Sequence, residues 1–458
     1  MRAGQKTLST TDVASLIVGI IVGVGIFQTM PEVARGAGNW WMASLLWLAG
    51  GLLSLCGAFG YAELASSDPR PGGDYVYLNT AFGPRAGFLF GWLQTTVVRP
   101  GDIAVMAFAF ATYGRAALGL EGLDVRLLAT GAVVLTTLVN ICGVREGARF
   151  QNLLTAIKVL GLLVLVVLAL TAWGSGPHRL PAEEGPPGLP LQVALILVLF
   201  TYGGWNEAVY VAAEMRTPRR SIAPALLMGT GAVALLYLLL SSSFLGALGF
   251  EGVAGSEAVA VDAVATAGHP GASRAVGALV ALSALGAVNG LVLAGARITD
   301  AVARDHAVFR LLARQTEEGP PLRALFWQAV LAVILIMVLG SFLDTVIYTA
   351  AAVYSFYLAT SVAVLVMRRR RPVPRGAFRV PWFPWPTLVF AGVCLFLIHG
   401  AVVYRPWLAV ASLVLVLAGL PVHELSRTIA RTSTSGLTGK GRLPGLPEIP
   451  KIESDRQS

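Results

Sequence analysis

The chain has 458 residues, of which 55% are hydrophobic and only 13% charged, whereas soluble domains carry about one quarter charged residues. That balance excludes an ordinary soluble fold, which would need more polar surface. The net charge of +9 would suggest nucleic acid in a soluble protein, but in a membrane protein Lys and Arg collect in cytoplasmic loops and set orientation, so no nucleic-acid partner is expected.

Apolar runs recur along the whole sequence, long enough to cross a hydrocarbon core of roughly 30 Å at about 1.5 Å per residue. Breaks at Pro, Gly and charge clusters predict an all-α membrane protein with 12 transmembrane helices, near residues 13–35, 41–65, 86–114, 126–144, 152–173, 190–213, 223–248, 274–298, 324–340, 343–367, 384–403 and 407–424. The first run reads as a helix rather than a cleaved signal, because it continues from Val13 to Met30 without a small-residue cleavage site. An even number of spans puts both termini on one side. Starting inside, the cytoplasmic loops hold Arg2, Lys6, Arg70, Arg85, Arg145, Arg149, Arg216, Arg219, Arg220, Arg297, Arg304, Arg310, Arg314, Arg323, Arg368 to Arg371, Arg375 and Arg379. The opposite loops keep Arg35, Arg115, Arg126, Arg179, Arg274 and Arg405, so both termini are expected in the cytoplasm. Arg outnumbers Lys heavily and Ala and Gly abound, a bias of GC-rich genomes that points to a bacterial cytoplasmic membrane.

Residues 1–10 form a cytoplasmic N-terminus, and residues 425–458, rich in Ser, Thr, Gly, Pro and charge, read as a disordered cytoplasmic tail. Within that tail GLTGKG is not a phosphate-binding loop, since Lys440 is followed by Gly and no strand or helix frames it. No ATP site is apparent, which favours transport driven by a gradient. Cys56, Cys142 and Cys394 lie in apolar runs without CxxC spacing, and His178, His269, His306, His399 and His423 are scattered. Neither a disulfide framework, a metal site nor a cofactor is expected.

Two spans carry glycines in mid-membrane, Gly23-Val24-Gly25 in the first and Gly203-Gly204 in the sixth. Two readings fit. Glycine can serve close helix packing, or it can mark unwound backbone, which at membrane depth is tolerated only against protein or a watery cavity. Paired breaks in corresponding positions of two halves point to a transporter site.

The segments GIIVGVGIF (19–27), YAELASSDPRPGGDYVYL (61–78), VVRP (97–100), NICGVREGARFQNLLTAIKVLGL (140–162), LFTYGGWNEAVYVAAEMRTPRR (199–220) and ALSALGAVNGLVLAGARITDAVARD (281–305) settle the context. As a set, over residues 11–425, they resemble the amino acid/polyamine/organocation superfamily, most of all its L-amino-acid transporter branch. The resemblance implies a leucine-transporter-like 5+5 inverted repeat plus two helices, with helices one and six discontinuous: a first repeat over 11–173, a second over 190–367, and helices eleven and twelve over 384–424. It implies a secondary active, sodium-independent amino acid permease working by alternating access, as proton symporter or exchanger, and no enzyme.

On that pattern the amides of Val24, Gly25 and Ile26, following Gly23, start a half-helix whose positive end suits an amino acid carboxylate. Carbonyls freed near Ile21, Phe200 and Gly203 suit the ammonium. The family usually has Ser, Thr or Ala at the position of Val24, so a hydroxyl contribution is absent. Phe200 matches an aromatic that closes over substrate, and Tyr202, Gly204, Trp205 and Asn206 follow the pocket-lining TYGGWN pattern. Packing is the alternative for these aromatics, and for Trp205 the two readings weigh equally. Asn206 is stronger, because an amide in apolar surroundings needs a partner.

Lys158 lies within the fifth span, where the family pattern has a lysine in place of a sodium ion; it is expected to serve coupling or gating, with snorkelling to the surface as the alternative. Asp102, near the middle of the third span, pairs with Arg99 one turn away or, if it faces the cavity, contacts a cationic substrate such as a polyamine. Glu63, Asp74 and Glu214 are expected at cytoplasmic helix ends, ordering loops against basic residues, and neither they nor Glu207 are placed in the site. Residues 115–126, the third-to-fourth outer loop, contain no Cys, so no covalently linked single-span partner is expected.

Overall fold

A computed structural model of the chain describes residues 8–70, 72–120, 122–142, 188–266, 270–313 and 320–438. Among these every regular element is a helix, apart from one isolated parallel bridge between Leu8 and Met215. The chain enters through α1 (Thr10–Ile21), closed by a capping box in which Ser9 Oγ accepts the Asp12 amide at 3.2 Å and Asp12 Oδ2 accepts the Ser9 amide at 2.8 Å. After three non-helical residues, α2 (Gly25–Ala37) leaves at 56° to α1, so the first expected span is occupied by a bent pair. The chain then turns into α3 (Trp40–Ser67), where Asn39 caps the Met42 amide at 2.8 Å.

Beyond the short α4 (Asp74–Phe82), the third expected span runs as α5 (Pro84–Leu93), a π-helical turn at Gln94–Val98, and α6 (Arg99–Leu118). Next come α7 (Val125–Cys142) and α8 (Leu191–Thr201), the latter followed by a turn and a 3-10 helix at Trp205–Glu214. The rest comprises α9 (Pro218–Gly255, bent at Gly249), α10 (Val259–Thr266), α11 (Pro270–Asp305), α12 (Leu322–Leu339), α13 (Phe342–Arg370), α14 (Trp385–Tyr404) and α15 (Pro406–Thr438). Nine helices among the described residues are long and apolar enough to cross a membrane, or ten with the bent pair. The helix over 84–118 carries Arg99 and Asp102 in its middle and is not among them; the fifth expected span, 152–173, lies outside the described residues.

Hydrophobicity is distributed as a bilayer requires. Leu235, Phe326 and Val338, each on a helix long and apolar enough to cross a membrane, are more than 60% exposed, as lipid-facing side chains are. Trp41, Trp382, Trp385 and Trp407 are exposed at or beside helix ends, positions suited to the headgroup level.

The largest helix interfaces join α6 to α11 and α3 to α9. Helix α3 gets close to its neighbours through glycine: a Cβ on Gly50 would lie 2.2 Å from Val198 Cγ1 and 3.0 Å from the Tyr202 ring, and one on Gly57 would lie 2.8 Å from Phe390. These small residues bring α8 and its turn against α3.

The segment expected as a tail from Leu425 begins in helix instead, because α15 continues to Thr438. This helix has partners on both sides of Leu425 that sequence composition hides. His423 is buried against Phe88, Ser426 Oγ accepts the Val308 amide at 3.4 Å, and Arg85 pairs with Glu424 at 2.9 Å. Residues 439–458 lie outside the described residues.

Gly50→Ala is expected to destabilise the detergent-solubilised protein by about 1 to 3 kcal/mol through overpacking. Gly131→Ala, on α7 with nothing within 4 Å of its Cβ, serves as control and is expected to be neutral or slightly stabilising. Thermal melting of the two variants checks this; equal melting temperatures would contradict the close approach of α3 and α8.

Candidate functional site

The two chain breaks lie side by side. At the first, Val22 adopts extended geometry (φ −66°, ψ 96°), and the next helical hydrogen bonds are those from the Phe27 and Gln28 amides to the Val24 carbonyl. The amides of Val24, Gly25 and Ile26 therefore have no carbonyl a turn earlier, as at any helix N-terminus. At the second, the Gly203 amide turns back to Phe200 O at 2.9 Å, and Gly204 takes φ +105°, which suits glycine because a Cβ there would also lie 2.9 Å from Ile20. A hydroxyl bridge joins the pair: Thr29 Oγ1 and Thr201 Oγ1 are 2.8 Å apart, one donating to the other, and the hydroxyl that accepts in the bridge donates to its own helix, Thr29 to Gly25 O at 2.9 Å or Thr201 to Leu197 O at 2.8 Å.

Beside the breaks opens a cavity of about 450 Å³, a volume ordinary for a small-molecule site. Of the residues singled out from sequence, Ile21, Gly23, Gly25, Phe200, Gly203, Gly204, Asn206 and Asp102 line it. Val24 and Ile26 do not; their side chains are fully buried in the core. Tyr202 is also buried away from it, its hydroxyl donating to Trp47 O at 3.0 Å. Trp205 packs between Tyr61, Tyr357 and Phe390, stacking on Tyr357 at 5.6 Å. Asn206 finds its partner in the Tyr357 hydroxyl, which donates to Oδ1 at 3.1 Å. Phe200 meets Phe342 edge to face at 6.1 Å. Lys158 and the Glu214 side chain lie outside the described residues.

Three expectations change. The Ile21 carbonyl, expected to be free for an ammonium, accepts the Tyr237 hydroxyl at 2.8 Å, because α9 packs directly against the break. Arg99 pairs not with Asp102 but with Glu207, at 2.6 Å, and the Arg99 side chain is only 5% exposed. The bend of the sixth span carries Glu207 across to α6, a juxtaposition of residues 108 apart in sequence. Glu207 and Asp74 thus join the cavity wall rather than remaining outside the site. Asp74 is buried and accepts hydrogen bonds from Tyr61, from Thr360 at 2.9 Å and from Tyr210 at 3.5 Å. Sequence alone held a partial signal for Glu207, an acid three residues after a mid-span break, but none that named its partner. Glu63 behaves as expected of a loop-ordering acid, holding Arg368 at 3.2 Å and the Val380 amide at 2.7 Å.

The cavity is asymmetric. Its lining includes Tyr61, Asp74, Phe90 and Leu93, which lie toward the helix ends that adjoin Arg70 and Arg85. Toward the other end Phe27 packs edge-on against Tyr113 and Phe244, and the Tyr113 hydroxyl donates to Phe27 O at 3.0 Å. All three rings are buried.

This combination of paired breaks and a mid-bundle cavity coincides with a match to the amino acid permease family over residues 8–423. The chain belongs to that family. Among its relatives, the b(0,+)-type amino acid transporter 1 of Mus musculus is 30% identical over 431 residues, covering 92% of this chain and 88% of the relative. The large neutral amino acids transporter small subunit 2 of Homo sapiens is 29% identical over 443 residues, covering 92% and 80%. These matches bear out the resemblance to the L-amino-acid transporter branch of the amino acid/polyamine/organocation superfamily. The permease family comprises transporters, not enzymes, and this member is a multi-pass membrane protein.

In this permease the Arg99–Glu207 pair bridges two helices across the cavity, so its energetics are measurable. Arg99→Ala should strand Glu207, and a double-mutant cycle with Glu207→Ala should give a coupling of about 1 to 3 kcal/mol in thermal or denaturant unfolding. A coupling near zero would mean that solvent screens the pair.

Proposed function

We propose that the chain is a secondary active carrier of amino acids that works by alternating access, with the substrate's α-carboxylate held at the start of α2 and its ammonium at the sixth-span turn. The observation that carries this is the start of α2, where the amides of Val24 to Ile26 lack a helical acceptor and where Gly23 and Gly25 line the same cavity as Gly203 and Gly204. Three amides at a helix N-terminus form an anion site without a charged side chain. The Ile21 carbonyl is engaged by Tyr237 and the Phe200 carbonyl by the Gly203 amide, so the ammonium is assigned to Gly203 O and to the lone pair that remains on Phe200 O. The cavity's extension toward the basic end and the aromatic seal at the other correspond to an inward-facing state. Twelve spans in a 5+5 inverted repeat plus two, with both termini cytoplasmic in a bacterial cytoplasmic membrane, complete the reading; the positive-inside distribution supports its orientation.

Energisation is assigned to protons or to exchange against internal substrate, independent of sodium, with Lys158 in the coupling or gating role. One relative is named a small subunit; this chain is proposed to need no covalent single-span partner, since residues 115–126 lack Cys.

Binding and flux in purified, reconstituted protein test the assignment. A Cβ on Gly25 would lie 3.5 Å from Thr201, so Gly25→Ala fits, whereas the larger Gly25→Leu fills the anion site. Gly25→Leu is expected to weaken amino acid binding about a hundredfold or more, by removing two charge-assisted hydrogen bonds of about 1.5 to 3 kcal/mol each. Unchanged binding in a folded variant would remove the site from the break. Phe200→Ala should reduce transport about tenfold more than it reduces equilibrium binding, because closure fails while backbone contacts persist; equal losses would make Phe200 a packing residue. For Lys158→Ala, uptake should fall when pH gradient, sodium and internal amino acid are varied separately, and wild-type rates under every condition would leave the lysine without a coupling role.

A further inference from the structure

We infer that Asp102 is a side-chain receptor that selects amino acids ending in an ammonium or guanidinium group. This rests on the proposed function, since it supposes that the substrate's own carboxylate and ammonium are held at the two breaks. The cavity wall carries three carboxylates and one guanidinium, contributed by Asp74, Asp102, Glu207 and Arg99. Two of the acids are already engaged, Asp74 by Tyr61 and Thr360, and Glu207 by Arg99. Asp102 is different. Among the described residues its carboxylate makes no hydrogen bond and no ion pair, although Arg99 one turn away lies within Coulombic reach. That guanidinium points its Nη2 at Glu207 instead.

The surroundings of Asp102 suit a long cationic side chain. Val98, Asp102 and Met106 follow one another at the four-residue spacing of a single helix face, and all three line the cavity. A carboxylate flanked by apolar side chains and given no donor by the protein has an unmet demand that a cationic group can supply. The same apolar flanks accept the methylene stem that such substrates carry behind the charge. The adjoining helix α11 contributes Gly286 and Gly290 to the cavity wall, and their lack of side chains leaves room for the stem. A neutral substrate would bury Asp102 without a partner, so the discrimination operates against neutral side chains as well as for cationic ones.

Isothermal titration of the purified full chain with arginine, its uncharged analogue citrulline, and agmatine, which lacks the carboxylate, tests the assignment. Arginine is expected to bind at least about tenfold tighter than citrulline, the equivalent of one charge-assisted hydrogen bond. The arginine-to-citrulline ratio should fall to near one in Asp102→Asn and persist in large part in Asp102→Glu, which keeps the charge. A ratio of one or less in the wild type overturns the inference whether or not a variant folds, as does a ratio that survives in Asp102→Asn. Equal losses for both ligands in Asp102→Asn also overturn it, assigning Asp102 a structural or proton-handling role. Agmatine should bind far more weakly than arginine. If it binds as well, the zwitterion site at the breaks fails while Asp102 stands, and if no amino acid binds, the proposed function fails with it.

Discussion

Backbone amides and carbonyls inside a bilayer must find partners within the protein or in enclosed water, and the rest of this architecture follows from how two helices break that continuity. On their core-facing side the breaks are patched by hydroxyls. Tyr237 caps the Ile21 carbonyl, and Thr29 and Thr201 join the two interrupted helices to each other. On the other side the freed groups face a cavity instead of lipid. The glycines of α3 matter for the same reason, because Gly50 and Gly57 let α8, Tyr202 and Trp205 come close enough to hold the second break in place.

Charge follows the same economy. Arg99 and Glu207 are tolerable at mid-bundle because each satisfies the other across the cavity, and Asp74 because phenolic and aliphatic hydroxyls surround it. The network around Asp74 and Asn206 reaches Tyr357 and Thr360 on α13, and Arg368 at the far end of that helix binds Glu63 of α3. The lower half of the cavity is thus polar and cross-linked, while its upper seal of Phe27, Tyr113 and Phe244 is held by ring packing and one hydrogen bond. Apolar contacts reform readily after a rearrangement; a buried ion pair left half-made does not. Under the proposed alternating access, this difference favours movement at the aromatic end with the polar end shifting as a block.

The sequence made the spans legible because apolar runs and their Pro, Gly and charge punctuation are local signals. The glycine pairs in spans one and six likewise marked where helix would fail, and the bend after Ile21 and the positive φ at Gly204 occur at those positions. Pairing across the bundle was not legible. Arg99 has an acid one turn away in Asp102, and nothing local says that its guanidinium would turn to Glu207. The capping of Ile21 by Tyr237 depends on packing between residues 216 apart. The helical continuation past Leu425 was concealed by a Ser- and Thr-rich composition; His423 and Glu424 anchor the helix to Phe88 and Arg85 just before it, and Ser426 holds the Val308 amide within it.

The central claim is that one cavity, open by turns to either side, carries the substrate. Solute counterflow in proteoliposomes tests it most directly: vesicles preloaded with unlabelled amino acid, diluted into trace labelled amino acid, are followed over time. A carrier that alternates around a single site should draw label in transiently above its equilibrium level, with one molecule leaving for each that enters while exchange dominates. Label that merely equilibrates, at a rate indifferent to the internal amino acid, would mean a continuous pore and would contradict the account.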